Sequence, residues 1–197
     1  MTWDDLAPEW DDNPSVQGYA AAVDDSLRTI IADRGLALGE LRVCDFGCGT
    51  GLLTERLVGS CHSVLAVDTS APMRAELERK VVARGWKNVR IAATVPAGER
   101  FDLVACSSVL AFVDDYKGTV GALVDRLEPG GLFVQWDWEL LPDDAESHGL
   151  SRERIEATLA GAGLAAVEVA TAFEVTVDGA TMAPLVGIGE VEAVGHS

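Results

Sequence analysis

The chain has 197 residues, 48% of them hydrophobic and 24% charged, which is enough apolar material for a real core. Its 32 acids against 15 bases give a net charge of −17, a field that repels phosphate backbones and anionic lipid, so nucleic acid and membrane surfaces are disfavoured as partners. No apolar run approaches the roughly 20 residues of a membrane span, and Met1–Asp5 lacks the basic start of a signal peptide. One domain over residues 1–197 and a cytoplasmic location are therefore expected.

Residues 1–13 are acidic, carry Trp3 and Trp10, and show no regular period. Asn13-Pro14 is a helix start, an N-cap followed by proline in the first turn. Val16, Tyr19, Ala20, Val23, Leu27, Ile30 and Ile31 then keep helical spacing up to Gly35. Residues 1–35 are read together as an N-terminal arm and helix that can act as a lid.

Val43–Phe46 predicts a short buried strand, followed by Gly47, Gly49 and Gly51 at every second position and by a helix over Leu52–Leu57. Glycine opens turns closed to other residues and lets a ligand touch the main chain. The new helix would point free N–H groups and its positive end at that ligand. Such a bend suits a nucleotide-like molecule with a carboxylate or phosphate. A dinucleotide fold wants Gly-x-Gly-x-x-Gly, and the third glycine position is Leu52 here.

Val64–Asp68 predicts a second strand that ends in an acid, able to accept both hydroxyls of a ribose. Ser70 caps a helix over Ala71–Arg84, ended by Gly85. Asn88–Ala92 and Phe101–Ser107 follow as strands, with residues 93–100 too few for a helix between them. A helix is expected near Thr119–Leu127, a turn at Glu128-Pro129-Gly130-Gly131, and a fifth strand over Leu132–Trp136. Asp137–Gly149 is read as a polar connection, and Ser151 as the cap of a helix with Ile155 and Leu159 on one face. Val167–Val177 and Pro184–Val194 read as extended, with Asp178-Gly179 as a hairpin signal. Alternating strands and helices closed by a hairpin imply a mostly parallel sheet with one reversed strand.

Asp45 before Gly47-x-Gly49-x-Gly51, then Asp68, Phe101–Val104, Glu128–Gly131 and the closing hairpin, together resemble the class I S-adenosylmethionine-dependent methyltransferases of small-molecule type. The resemblance covers nearly the whole chain from Pro14. It implies an α/β, Rossmann-like, mostly parallel seven-stranded sheet with helices on both faces and an antiparallel C-terminal strand. It implies S-adenosyl-L-methionine as cofactor and a small-molecule methyl acceptor as partner. Gly47, Cys48 and Gly49 would run beneath the methionine part, Asp45 would orient its ammonium group, and Asp68 would hold the ribose. Thr69 and Met73 would lie along the adenosine, with Ser107 beside the sulfonium. The family's acid after the third strand is missing, and Thr94 Oγ or a backbone carbonyl would be the substitute for the adenine contact.

The cofactor carries the reactive group, so the chain mainly positions and desolvates, and no catalytic residue is assigned. Trp10, Tyr19, Phe112 and Trp138 are the candidates for acceptor contacts, since aromatics suit a flat or cationic molecule. Trp3 and Trp136 are read as packing. Asp137 is the best-placed base, although a solvated loop acid is the plainer reading. His148 is read as a solvated loop side chain. Cys44, Cys48, Cys61 and Cys106 are read as reduced thiols, and no His, Cys and carboxylate set has metal-ligand spacing. Two rivals stand: a binding module that keeps the cofactor fold without turnover, and an NAD(P)-dependent oxidoreductase.

Overall fold

The computed structural model describes residues 2–140, 148–177 and 180–193. Strands β1 (Arg42–Phe46), β2 (Ser63–Val67), β3 (Val89–Ala92), β4 (Phe101–Ser107), β5 (Leu127–Trp138), β6 (Ala165–Thr171) and β9 (Pro184–Glu190) make one seven-stranded sheet. Its order is β3-β2-β1-β4-β5-β9-β6. β1 pairs in parallel with both β2 and β4, and β9 runs antiparallel to both β5 and β6. The strand order therefore turns back between β1 and β4, which opens a crevice at the carboxyl ends of those strands.

Period-two burial sorts the strand side chains onto two faces. Val43, Leu103, Leu132 and Trp136 meet α2 (Pro14–Asp33) and α3 (Leu52–Leu57) on one side. Cys44, Val104, Cys106 and Phe133 meet α5 (Tyr116–Val124) and α6 (Arg152–Gly161) on the other. α4 (Ala71–Arg84) covers the edge through Leu77, which packs on Ala66 and Cys48. The caps lie where the sequence puts them. Asn13 accepts from Ser15 N at 2.9 Å, Ser70 from Met73 N at 3.2 Å, and Gly85 closes α4 in the left-handed region.

Four local expectations need correction. The arm is not irregular: α1 (Trp3–Leu6) and a 3-10 stretch over Ala7–Asp12 lead into α2. α5 begins at Tyr116 rather than Thr119, because Asp115 caps it by accepting from Gly118 N. Glu128–Gly131 is not a free turn but part of β5. Gly130 N donates to Val191 O, Gly131 O accepts from Val191 N, and Glu128 pairs with Arg42, which Asp102 also grips. Tertiary pairing thus holds four turn-type residues in the sheet as a bulge opposite β4. Finally, the extended stretch Val167–Val177 breaks into β6 and β7 (Val175–Val177), and β7 pairs in a separate two-stranded sheet with β8 (Ala180–Met182), which lies in the loop expected before Pro184. Asp178 and Gly179 lie outside the described residues. Among the described residues, no helix is long and apolar enough to cross a membrane.

Candidate functional site

The bend after β1 is fixed by geometry that a side chain would break. Gly47 N and Cys48 N both donate to Val67 O, at 2.7 and 3.0 Å, which ties the bend to the end of β2. Gly47 has φ +75°, and a Cβ there would sit 2.4 Å from a methyl of Val109. Gly49 has φ +54° and open space on its Cβ side, with only Met73 Sδ at 4.0 Å. At Gly47 the chain passes too close to Val109 for a side chain, while at Gly49 the left-handed backbone is what favours glycine.

Asp68 faces this bend. Its Oδ2 accepts from Gly49 N at 2.8 Å and its Oδ1 from Ser70 N at 2.8 Å. A carboxylate has about four lone-pair directions, so both oxygens keep acceptor capacity. Asp45 lies beneath, 1% exposed, with its Oδ2 taking the Thr54 hydroxyl hydrogen at 2.6 Å. Burial, with the neighbouring Asp68 carboxylate adding to it, pushes the Asp45 carboxyl up to about 6.

A cavity of about 590 Å³ opens over these groups, within the range of small-molecule sites. The structure brings Asp45, Gly47, Cys48, Gly49, Asp68 and Thr69 to it, and Met73 and Ser107 as well. Thr94 is exposed and does not line it. The arm supplies Asp4 instead, which lines the cavity and takes the Ser70 hydroxyl hydrogen at 2.5 Å. Trp10, Tyr19 and Phe112 also line it, and so does Trp3, against its reading as packing alone. Trp138 lies behind the wall, 5.2 Å from the Tyr19 ring. Trp136 is fully buried. His148 stacks on Phe112 at 5.1 Å and 21°.

Asp137 is no solvated loop acid. It sits at 0% exposure within β5, accepting from Ala111 N at 3.1 Å and Gln135 Nε2 at 3.0 Å. Burial pushes its carboxyl up to about 7. The alternation Trp136-Asp137-Trp138 is the signal for a longer strand with Asp137 turned toward α5. The four cysteines are free and buried. Sequence reasoning missed Asp4, and also Asp11, whose Oδ1 takes the Thr50 hydroxyl hydrogen at 2.5 Å and whose Oδ2 pairs with Lys80. Both lie in an acidic stretch with no period to place them.

A methyltransferase-domain family model matches residues 44–133, which run from the glycine bend through β5. Residues 44–133 are thus similar to a methyltransferase domain. The chain is 32% identical over 123 residues to a ubiquinone biosynthesis O-methyltransferase of Cereibacter sphaeroides, covering 60% of this chain and 47% of that protein. It is 30% identical over 168 residues to a malonyl-[acyl-carrier protein] O-methyltransferase of Enterobacter lignolyticus, covering 79% and 64%. The chain thus spans about half to two thirds of these relatives' length. The N-methyltransferase NodS of Bradyrhizobium japonicum, solved with S-adenosyl-L-homocysteine, superposes with a TM-score of 0.70 at 20% identity, over 93% of this chain and 90% of that one. The chain therefore has the α/β sheet that the sequence implies, with the C-terminal strand reversed.

Proposed function

We propose that the protein transfers the methyl group of S-adenosyl-L-methionine to a small molecule. The observation that carries this is the Asp68 carboxylate, held 2.8 Å from Gly49 N on the rim of a cavity floored by the glycine bend. The residues fit the cofactor chemically. Asp45 is a buried acid with no cation beside it among the described residues, and a bound ammonium group would supply one. Asp68 would accept the ribose hydroxyls, Gly47 to Gly49 would lie under the methionine part, and Thr69 and Met73 along the adenosine. Ser107 would face the sulfonium end. The bound cofactor supplies an electrophilic methyl group. The chain's part is to hold the acceptor in line and to exclude water.

Trp10, Tyr19 and Phe112 are the acceptor contacts in this reading, and the arm is the lid that carries Trp10. The acceptor is a small molecule rather than a nucleic acid, in keeping with the net charge of −17. A cytoplasmic setting suits the four free thiols. A dinucleotide reading is disfavoured by Leu52, 5% exposed where the third glycine would be. Incubation with S-adenosyl-L-methionine and a metabolite panel, read as S-adenosyl-L-homocysteine formed, tests the proposal. Product above the acceptor-free control supports it. Tight cofactor binding with no product from any acceptor favours the non-catalytic module.

A further inference from the structure

The geometry points to an acceptor end of the cavity that takes a cation with an apolar body and refuses carboxylates and phosphates. This rests on the methyltransferase reading, which assigns Asp45, Asp68 and the glycine bend to the cofactor and leaves the aromatic wall for the acceptor.

The first ground is the charge inventory. Among the described residues, no lysine, arginine or histidine lines the cavity, while Asp4, Asp45 and Asp68 do. His148 lies against Phe112 without lining the cavity. Lys80 is paired with Asp11 beneath the arm. An anionic acceptor would leave water for an aromatic wall to which the chain itself lends no basic side chain, with the Asp4 carboxylate on the same cavity. The polar groups at this end are neutral hydroxyls, Tyr19, Ser107 and Ser108, which accept hydrogen bonds from an ammonium group as readily as they donate.

The second ground is the shape of the wall. Trp3 stands 5.7 Å from Trp10 at 81° and 5.2 Å from Phe112 at 83°. Rings of steeply different plane border one space, so both faces and edges meet it. Ring faces carry negative charge density and attract ammonium groups. None of the three is fully buried, and Trp3 is 47% exposed, so simple core packing does not account for the cluster. The net charge of −17 adds a field that gathers cations at the mouth.

Three probes of similar size separate the cases: 2-phenylethylamine, 2-phenylethanol and 3-phenylpropionate. Each is titrated calorimetrically into the whole protein, with and without saturating S-adenosyl-L-homocysteine. The amine is expected to bind about ten-fold tighter than the acid and about three-fold tighter than the alcohol, the size of a partly desolvated cation–π contact. Phe112→Leu should cut amine affinity about five-fold and alcohol affinity less than about two-fold, because it removes the ring and keeps apolar contact. The acid or the alcohol binding as tightly as the amine overturns the proposal, as does failure of all three to bind, or equal losses for amine and alcohol in Phe112→Leu. S-adenosyl-L-homocysteine failing to bind would instead strike the methyltransferase reading, while the rank order without it still reports the cavity's charge preference.

Discussion

A single methyl group at Gly47 would collide with three Val109 side-chain atoms, the nearest at 2.4 Å, in a backbone already at φ +75°. Gly47→Ala should therefore destabilise the fold by about 2–4 kcal/mol, combining left-handed strain with overpacking. Urea denaturation checks this, and a loss under about 0.5 kcal/mol would show that the bend is looser than its contacts imply. This residue was legible in the sequence, since only a tight backbone path requires glycine at that spacing.

Asp137 was not legible as a buried acid, because an aspartate flanked by tryptophans near a polar stretch reads as a strand end. Its environment also gives a pH signature. The folded carboxyl titrates near 7, above its ordinary 3.8. From about pH 4 to 7 the unfolded chain releases this proton and the folded chain keeps it, so the contribution to stability is greatest at low pH, falls through that window and is flat above it. Asp137→Asn cannot ionise and keeps an oxygen for Ala111 N. It should gain on the wild type by about 2 kcal/mol between pH 5 and pH 8. A difference between the two proteins that does not change with pH would contradict this.

Among the elements, the arm and β5 depart furthest from sequence expectation, for one reason. Helix α4 was legible because its signals are local: Ser70 at the start, Gly85 at the end, and Leu77 on the apolar face between them. The arm is placed by partners far along the chain, with Asp4 on Ser70, Asp11 on Thr50 and Lys80, and Trp3 on Phe112. Glu128–Gly131 is likewise held by Arg42 and Val191, and no local propensity reports that. These two motif segments, Phe101–Val104 and Glu128–Gly131, meet through Arg42 at the amino ends of β1 and β4, away from the cavity. Their resemblance value is therefore architectural. The lid reading makes Asp11 a latch between the arm and the glycine bend. Asp11→Ala should speed release of S-adenosyl-L-homocysteine about five-fold, the effect of losing about 1 kcal/mol of partly exposed polar contacts. Stopped-flow tryptophan fluorescence reads this through Trp3 and Trp10, and an unchanged release rate would leave the arm without a latching role.

At the scale of the molecule, the sheet order follows from alternating strands and helices closed by a reversed strand, and that order opens a crevice between β1 and β4. The glycine bend and Asp68 both reach this crevice because their strands are neighbours. That made this end of the cavity, which we assign to the cofactor, readable from two motifs 17 residues apart, Gly51 and Asp68. The end proposed for the acceptor was only partly readable. Its wall comes from the arm, α2 and the segment after β4, which no single motif joins. The excess of acids sets which ligands gather at that end, without deciding the fold.

The central claim is that Asp68 and the bend bind S-adenosyl-L-methionine and its demethylated product. Calorimetric titration of S-adenosyl-L-homocysteine into the wild type and Asp68→Ala tests it most directly. Saturable one-to-one binding is expected at micromolar concentration, weakened about 30-fold or more in Asp68→Ala by loss of a charge-assisted pair. No heat at high micromolar ligand, or equal affinity in the two proteins, would contradict it.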